Sequence, residues 1–258
     1  MFDHLSTRAS DRAATEAFYD AVLPPLGVLG PAPRQALHAL RRLRAVGLAG
    51  ERWTTGHPRH APRAARPEPR GRVDAFWQAG IAAGHPERRR AGRAVRTPLA
   101  TTAPSCATPT ATRSRACLHE RLRPRGLIDH AWLGAADLAG QRTFLALLAE
   151  HAELEIVADE PDLVRVRGRR GGSLTLTTRP VGTDGAARAA TVGLHLAIPA
   201  PRATIDAWHA AAVAAGHTDD GAPGPRGYHP GYYGAFVLDP AGLSYELVDH
   251  DGVLGERW

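Results

Sequence analysis

Parts of this sequence are written twice, and a duplicated chain folds as duplicated supersecondary units. Phe2-Asp3-His4 returns as Ile128-Asp129-His130, 126 residues later, and Asp11 and Phe18 return as Asp137 and Phe144 at the same offset. A second repeat, at an offset of 132, pairs Val73-Asp74-Ala75-Phe76-Trp77 with Ile205-Asp206-Ala207-Trp208-His209. Both copies end in Ala-Ala-Gly-His, at Ala82–His85 and Ala214–His217. The apolar residues of each copy fall at helical spacing and the glycine is a helix stop. Asp3-His4 is expected to open a short strand, and Ser10-Asp11 to cap a helix through Phe18 and Leu23.

The first copy then loses the pattern. Between Pro31 and Cys117 the chain carries 17 Arg against four acidic residues, and the rest carries 15 Arg against 22. Reading the codons of Thr97–Arg115 one base earlier restores a match to residues 228–246. Fourteen of 19 positions can then encode the residue found 131 positions later; Thr101–Ser105 becomes Tyr-Tyr-Gly-Ala-Phe and Arg115 becomes Glu. Much of residues 31–117 therefore reads as translated out of frame, with Val73–Gly84 an in-frame island. Resequencing the gene tests this. Residues 31–72 and 85–115 are expected to lack a stable core, because they bury too little apolar surface to offset chain entropy.

The expected domains are 1–120, a degenerate module, and 121–258, an intact one. Two cysteines exclude a disulfide framework and a cysteine-based zinc ribbon. No apolar run reaches the roughly 18 residues of a membrane span, and no signal peptide precedes the repeat, so a cytoplasmic protein with no membrane partner is expected. The net charge of +6 suggests nucleic acid, but its confinement to one aromatic-poor segment argues against a nucleic-acid partner.

From Leu127 the order reads strand, helix, strands, twice over. The expected elements are a strand at 129–133 and a helix at 138–152. A hairpin follows at 163–167 and 173–178, turning on Gly171-Gly172. Then come a strand at 192–198, a helix at 203–215, and strands at 232–238 and 244–248 joined by Asp239-Pro240-Ala241-Gly242. The fold class is α+β: paired βαβββ modules, the N-terminal one disrupted.

In this order the strand His130, Gly193-Leu194-His195-Leu196, Gly231–Phe236, Asp239–Gly242 and Tyr245-Glu246-Leu247-Val248 resemble the vicinal-oxygen-chelate superfamily: glyoxalases, bleomycin-resistance proteins and extradiol dioxygenases. The resemblance covers residues 127–250 and, less specifically, residues 2–30. It implies two βαβββ units around one divalent metal ion (Fe, Mn, Ni or Zn), with ligands His130, His195 and Glu246. Two His and one carboxylate leave coordination sites open for a bidentate oxygen substrate. Glu246 and Tyr233 are the implied catalytic residues, and Tyr228, Tyr232, Tyr233 and Phe236 the implied pocket. The fourth acidic ligand of glyoxalase I has no counterpart at Thr177-Thr178. His4 would serve the first module, whose carboxylate position is Arg115, so that copy is expected to be dead. The leading expectation is a metal-dependent enzyme acting on a small-molecule substrate, as a homodimer or an intrachain pseudo-dimer. The alternative is a metal-free binding module.

Overall fold

The computed structural model describes residues 1–7, 11–26, 69–85, 87–89, 105–107, 113–115, 128–169, 171–179 and 190–251. They fall into two compact units, one holding residues 1–7 and 128–251, the other the described residues from 11 to 115.

The larger unit contains two βαβββ modules. The first is β5 (His130–Gly134), α3 (Ala139–His151), β6 (Leu154–Glu160), β7 (Leu163–Gly168) and β8 (Ser173–Thr177). The second is β9 (Leu194–Pro199), α4 (Arg202–Ala214), β10 (Thr218–Pro225), β11 (Tyr233–Leu238) and β12 (Ser244–Asp249). Each sheet follows one rule: the module's first strand lies parallel to its last, giving the orders β5-β8-β7-β6 and β9-β12-β11-β10. A strand from far away, β1 (Leu5–Thr7), closes the second sheet by pairing antiparallel with β9. The sequence reading put β1 with the N-terminal module; here it belongs to the unit of the C-terminal modules.

The strand period of two separates core from site. Leu196 and Ile198 of β9, Ala235 and Val237 of β11, and Tyr245 and Leu247 of β12 face the helices. There they meet Phe144, Leu145 and Leu148 of α3 and Ile205, Trp208 and Ala212 of α4, spaced to line one stripe of each helix. Each large side chain fully buried here contributes about 1.5–3 kcal/mol of transfer free energy. The intervening residues His195, Ala197, Ser244, Glu246, Gly234 and Phe236 face the other way. The β11–β12 link is the expected turn: Gly242 N–H donates to Asp239 O at 2.9 Å, and the Asp239 carboxylate accepts from the N–H groups of Ala241 and Leu243. Gly242 has φ +77°, a left-handed conformation that favours glycine.

In the smaller unit, α1 (Arg12–Val22) is capped by Asp11, whose side chain accepts from Ala14 N–H at 2.9 Å. The helix α2 (Pro69–Ala82) starts four residues before the expected Val73. Phe18 and Val22 pack on Val73 and Phe76. Phe18, Val73 and Phe76 are the repeat partners of Phe144, Ile205 and Trp208, and all six are buried, so both copies bury the same positions. Three short strands, β2 (Glu87–Arg89), β3 (Ser105–Ala107) and β4 (Arg113–Arg115), pair in that order within the stretch expected to lack a core. Most of the reading for residues 31–72 and 85–115 lies outside the described residues. Among the described residues no helix is long and apolar enough to cross a membrane.

Candidate metal centre

On the face of the β1-containing sheet opposite the helices, three side chains converge. One ligand atom each from His4, His195 and Glu246 lie within 4.8 Å of one another. The strand registers explain this. Parallel pairing sets Ser244 beside His195 and Glu246 beside Ala197. On the other side of β9, antiparallel pairing sets Ser6 beside His195. Asp3 N–H donates to Ala197 O, and Ala197 N–H donates to His4 O, both at 2.9 Å. Two residues thus oppose one, the pattern of a β-bulge, which re-aims side chains. His4 and Glu246 thereby flank Ala197, with His195 one pleat along the same face.

Each histidine ring is held from behind at Nδ1. The Asp3 carboxylate accepts from His4 Nδ1 at 2.7 Å. Ser244 Oγ donates to Asp220 at 2.8 Å, so it can serve His195 Nδ1, 3.2 Å away, only as an acceptor. Both Nε2 atoms then face inward, 3.2 Å apart. Glu246 Oε2 is 3.0 Å from one and 3.4 Å from the other. Two imidazole nitrogens and a carboxylate oxygen facing one point form a donor set for a cation.

Without a metal, a proton on His4 is that cation. Burial pushes the His4 pKa down, but hydrogen bonds to Asp3 and Glu246 outweigh burial and raise it to about 9. Burial pushes Glu246 up, but hydrogen bonds from His195 and His4 hold it at about 2. Asp3, also lifted by burial, is held well below the usual carboxylate range by His250 and His4.

The surroundings suit a divalent ion. Two imidazole nitrogens and one carboxylate oxygen are the donors of a 2-His-1-carboxylate site. Each ligand also has a second partner: Asp3 for His4, Ser244 for His195, and the Tyr232 hydroxyl, which donates to Glu246 Oε1 at 2.6 Å. Such outer partners orient metal ligands. Gly234 makes room for the carboxylate: a Cβ there would stand 2.6 Å from Glu246 Oε1.

The expected site residues divide. His195 and Glu246 come together with Tyr232, and Phe236 lies beside the His195 ring with centroids 5.7 Å apart. Tyr228 is a half-exposed rim residue edge-on to Tyr232. His130 is not in the cluster. It lies on β5 in the other sheet, bonded to Asp129 at 2.7 Å, the same pairing that Asp3 and His4 make. His4 takes the expected place of His130, because β1 rather than β5 borders β9. The lack of an acid at Thr177-Thr178 therefore has no bearing on this cluster, since β8 also belongs to the other sheet. Tyr233 is likewise outside the site. It alternates with Gly234, and its hydroxyl donates to Asp206 on α4 at 2.7 Å, with Arg202 over its ring. The repeat of Asp-His before both strands was the signal for His4.

No protein-family model matches the chain, and no curated protein matches it. Solved structures do. A glyoxalase/bleomycin resistance protein from Albidiferax ferrireducens is 27% identical over 47% of this chain and 96% of its own, with a TM-score of 0.38. A lactoylglutathione lyase from Agrobacterium tumefaciens is 25% identical over 48% of this chain and 94% of its own, with a TM-score of 0.36. A glyoxalase I mutant from Zea mays is 17% identical over 72% of this chain and 68% of its own, with a TM-score of 0.47. The two βαβββ modules, each with its first strand parallel to its last, are the paired modules that the resemblance to the vicinal-oxygen-chelate superfamily implied.

Proposed function

We propose that this protein is a metal-dependent enzyme that binds one divalent transition-metal ion through His4, His195 and Glu246 and acts on a small molecule with two neighbouring oxygens. The convergence of two imidazole nitrogens and a buried carboxylate within 4.8 Å carries the reading. Bound there, such an ion would act as a Lewis acid on the paired oxygens. The protein's own groups prepare the place. Asp3 and Ser244 keep the Nδ1 protons of His4 and His195 turned away, so both Nε2 atoms stay free to coordinate. Tyr232 holds Glu246 by the oxygen that does not face the histidines. Phe236 gives an apolar wall beside His195.

A second reading, a metal-free binding module, draws support from the ease with which a proton on His4 satisfies Glu246. Metal analysis of the purified full-length chain separates the two. The enzyme reading expects about one equivalent of Fe, Mn, Ni or Zn, kept in His130→Ala and lost in His4→Ala, and turnover within a panel of diols and thiohemiacetals. Loss in His130→Ala with retention in His4→Ala would return the ligand to β5. No metal in the wild type, even after reconstitution, leaves the binding module.

A further inference from the structure

We propose that His250, steadied by His229, is a positioning residue that grips Asp3 and through it aims His4 into the metal centre. The inference rests on the metal reading above. Asp3 is held at both oxygens: Oδ1 accepts from His4 Nδ1 at 2.7 Å, and Oδ2 accepts from His250 Nε2 at 2.9 Å. The side chains of Asp3, His4 and His250 are 7%, 9% and 12% exposed, so water competes little for these bonds. The terminal torsion of a carboxylate is soft. One hydrogen bond leaves its plane free to swing, and a second on the other oxygen fixes it.

Beyond His250 the chain of bonds continues. His229 Nε2 lies 2.9 Å from His250 Nδ1, and His229 Nδ1 lies 2.7 Å from Pro230 O. A carbonyl and a carboxylate only accept, so the outer nitrogens, His229 Nδ1 and His250 Nε2, are the donors, and the inner nitrogens face each other. The two rings stack at 5.1 Å and 19°, and Tyr232 meets both edge-on. The hydroxyl of that tyrosine holds Glu246. One aromatic ring thus braces the supports of two different ligands.

Titration of the full-length apoprotein with Co(II) tests this. His250→Phe keeps a ring against Tyr232 and removes the donor. It is expected to weaken Co(II) binding about 10–100-fold, the usual effect of losing an outer partner, and to change the Co(II) absorption spectrum. The downfield proton resonance of His4 Nδ1–H in the metal-free protein should also disappear. His250→Gln, which restores an N–H donor, is expected to recover most of the affinity. Wild-type affinity and spectrum in His250→Phe overturn the proposal, as does His250→Gln binding no better than His250→Phe. If His250→Phe does not fold, His229→Ala decides: weaker binding supports the brace and unchanged binding refutes it. A wild type that takes up no Co(II) overturns the metal reading and this inference with it, whereas metal binding insensitive to residue 250 overturns this inference alone.

Discussion

Gly234→Ala measures how tightly the Glu246 carboxylate is set. The added Cβ would lie 2.6 Å from Glu246 Oε1, and 3.4 Å from both Leu247 O and Tyr232 Cε1. To reach ordinary contact the carbon and oxygen must part by about 0.8 Å. Neither neighbour yields easily. Glu246 is 1% exposed, its Oε1 is bonded to Tyr232 and its Oε2 to His195. Gly234 is itself paired with Val248 of β12. Overpacking of this kind costs about 1–3 kcal/mol. A metal constellation tolerates only about 0.5 Å of misplacement. The variant should therefore lose that much stability in urea unfolding and at least tenfold in metal affinity by titration. Gly227→Ala, where a Cβ meets nothing within 4 Å, is the control and should change neither. A Gly234→Ala protein with wild-type stability and wild-type metal affinity would refute the assignment of Glu246 to a packed, pre-set site.

Tyr232→Phe removes the donor to a buried carboxylate and should cost the apoprotein about 1.5–3 kcal/mol in urea unfolding. Tyr233→Phe, which loses a bond to exposed Asp206, should stay within about 0.5 kcal/mol. The stability of the apoprotein should depend on pH in two directions. The contribution of His4, with its pKa raised from 6.5 to about 9, is complete below 6.5 and lost as pH rises through 9. That of Glu246, lowered from 4.5 to about 2, is complete above 4.5 and lost as pH falls through 2. Denaturation midpoints should therefore peak between pH 4.5 and 6.5, whereas metal affinity should rise with pH above that range because the ligands must shed protons. Phe144→Ala and Phe18→Ala, at equivalent buried positions of the repeat, should each cost about 3–5 kcal/mol, read by thermal unfolding.

The helices were legible because their apolar stripes recur at 3.6 residues, and the β11–β12 turn because Asp239-Pro240-Ala241-Gly242 carries its own turn chemistry. Strand β10 was not legible. Its sequence, Thr218–Pro225, has two glycines, two prolines and no alternation; it is a strand because it pairs with β11 through two register shifts. Strand β6 also went unread, with most of its residues outside the core. At the site, His195 and Glu246 follow from their strands, which the chain supplies in order. The third member of the cluster depends on which of the two strands that share an Asp-His pair borders β9, and strand pairing between residues nearly 200 positions apart leaves no local trace. Tyr232 and Tyr233 are neighbours of one residue type, and only the pleat decides which one reaches Glu246.

The closing of the sheet by β1 has a consequence for biosynthesis. His4 and His195, which touch, are separated by 191 positions, and Asp3 and His250 by 247. At a translation rate of about 5–20 residues per second, His4 waits roughly 10–40 seconds for His195 to be made. Meanwhile β1 is a short strand whose hydrogen-bonding edge has no β9 to pair with, open to a neighbouring nascent chain. The cluster of His4, His195 and Glu246 is therefore assembled only after the C-terminal strands have been made, long after the first seven residues.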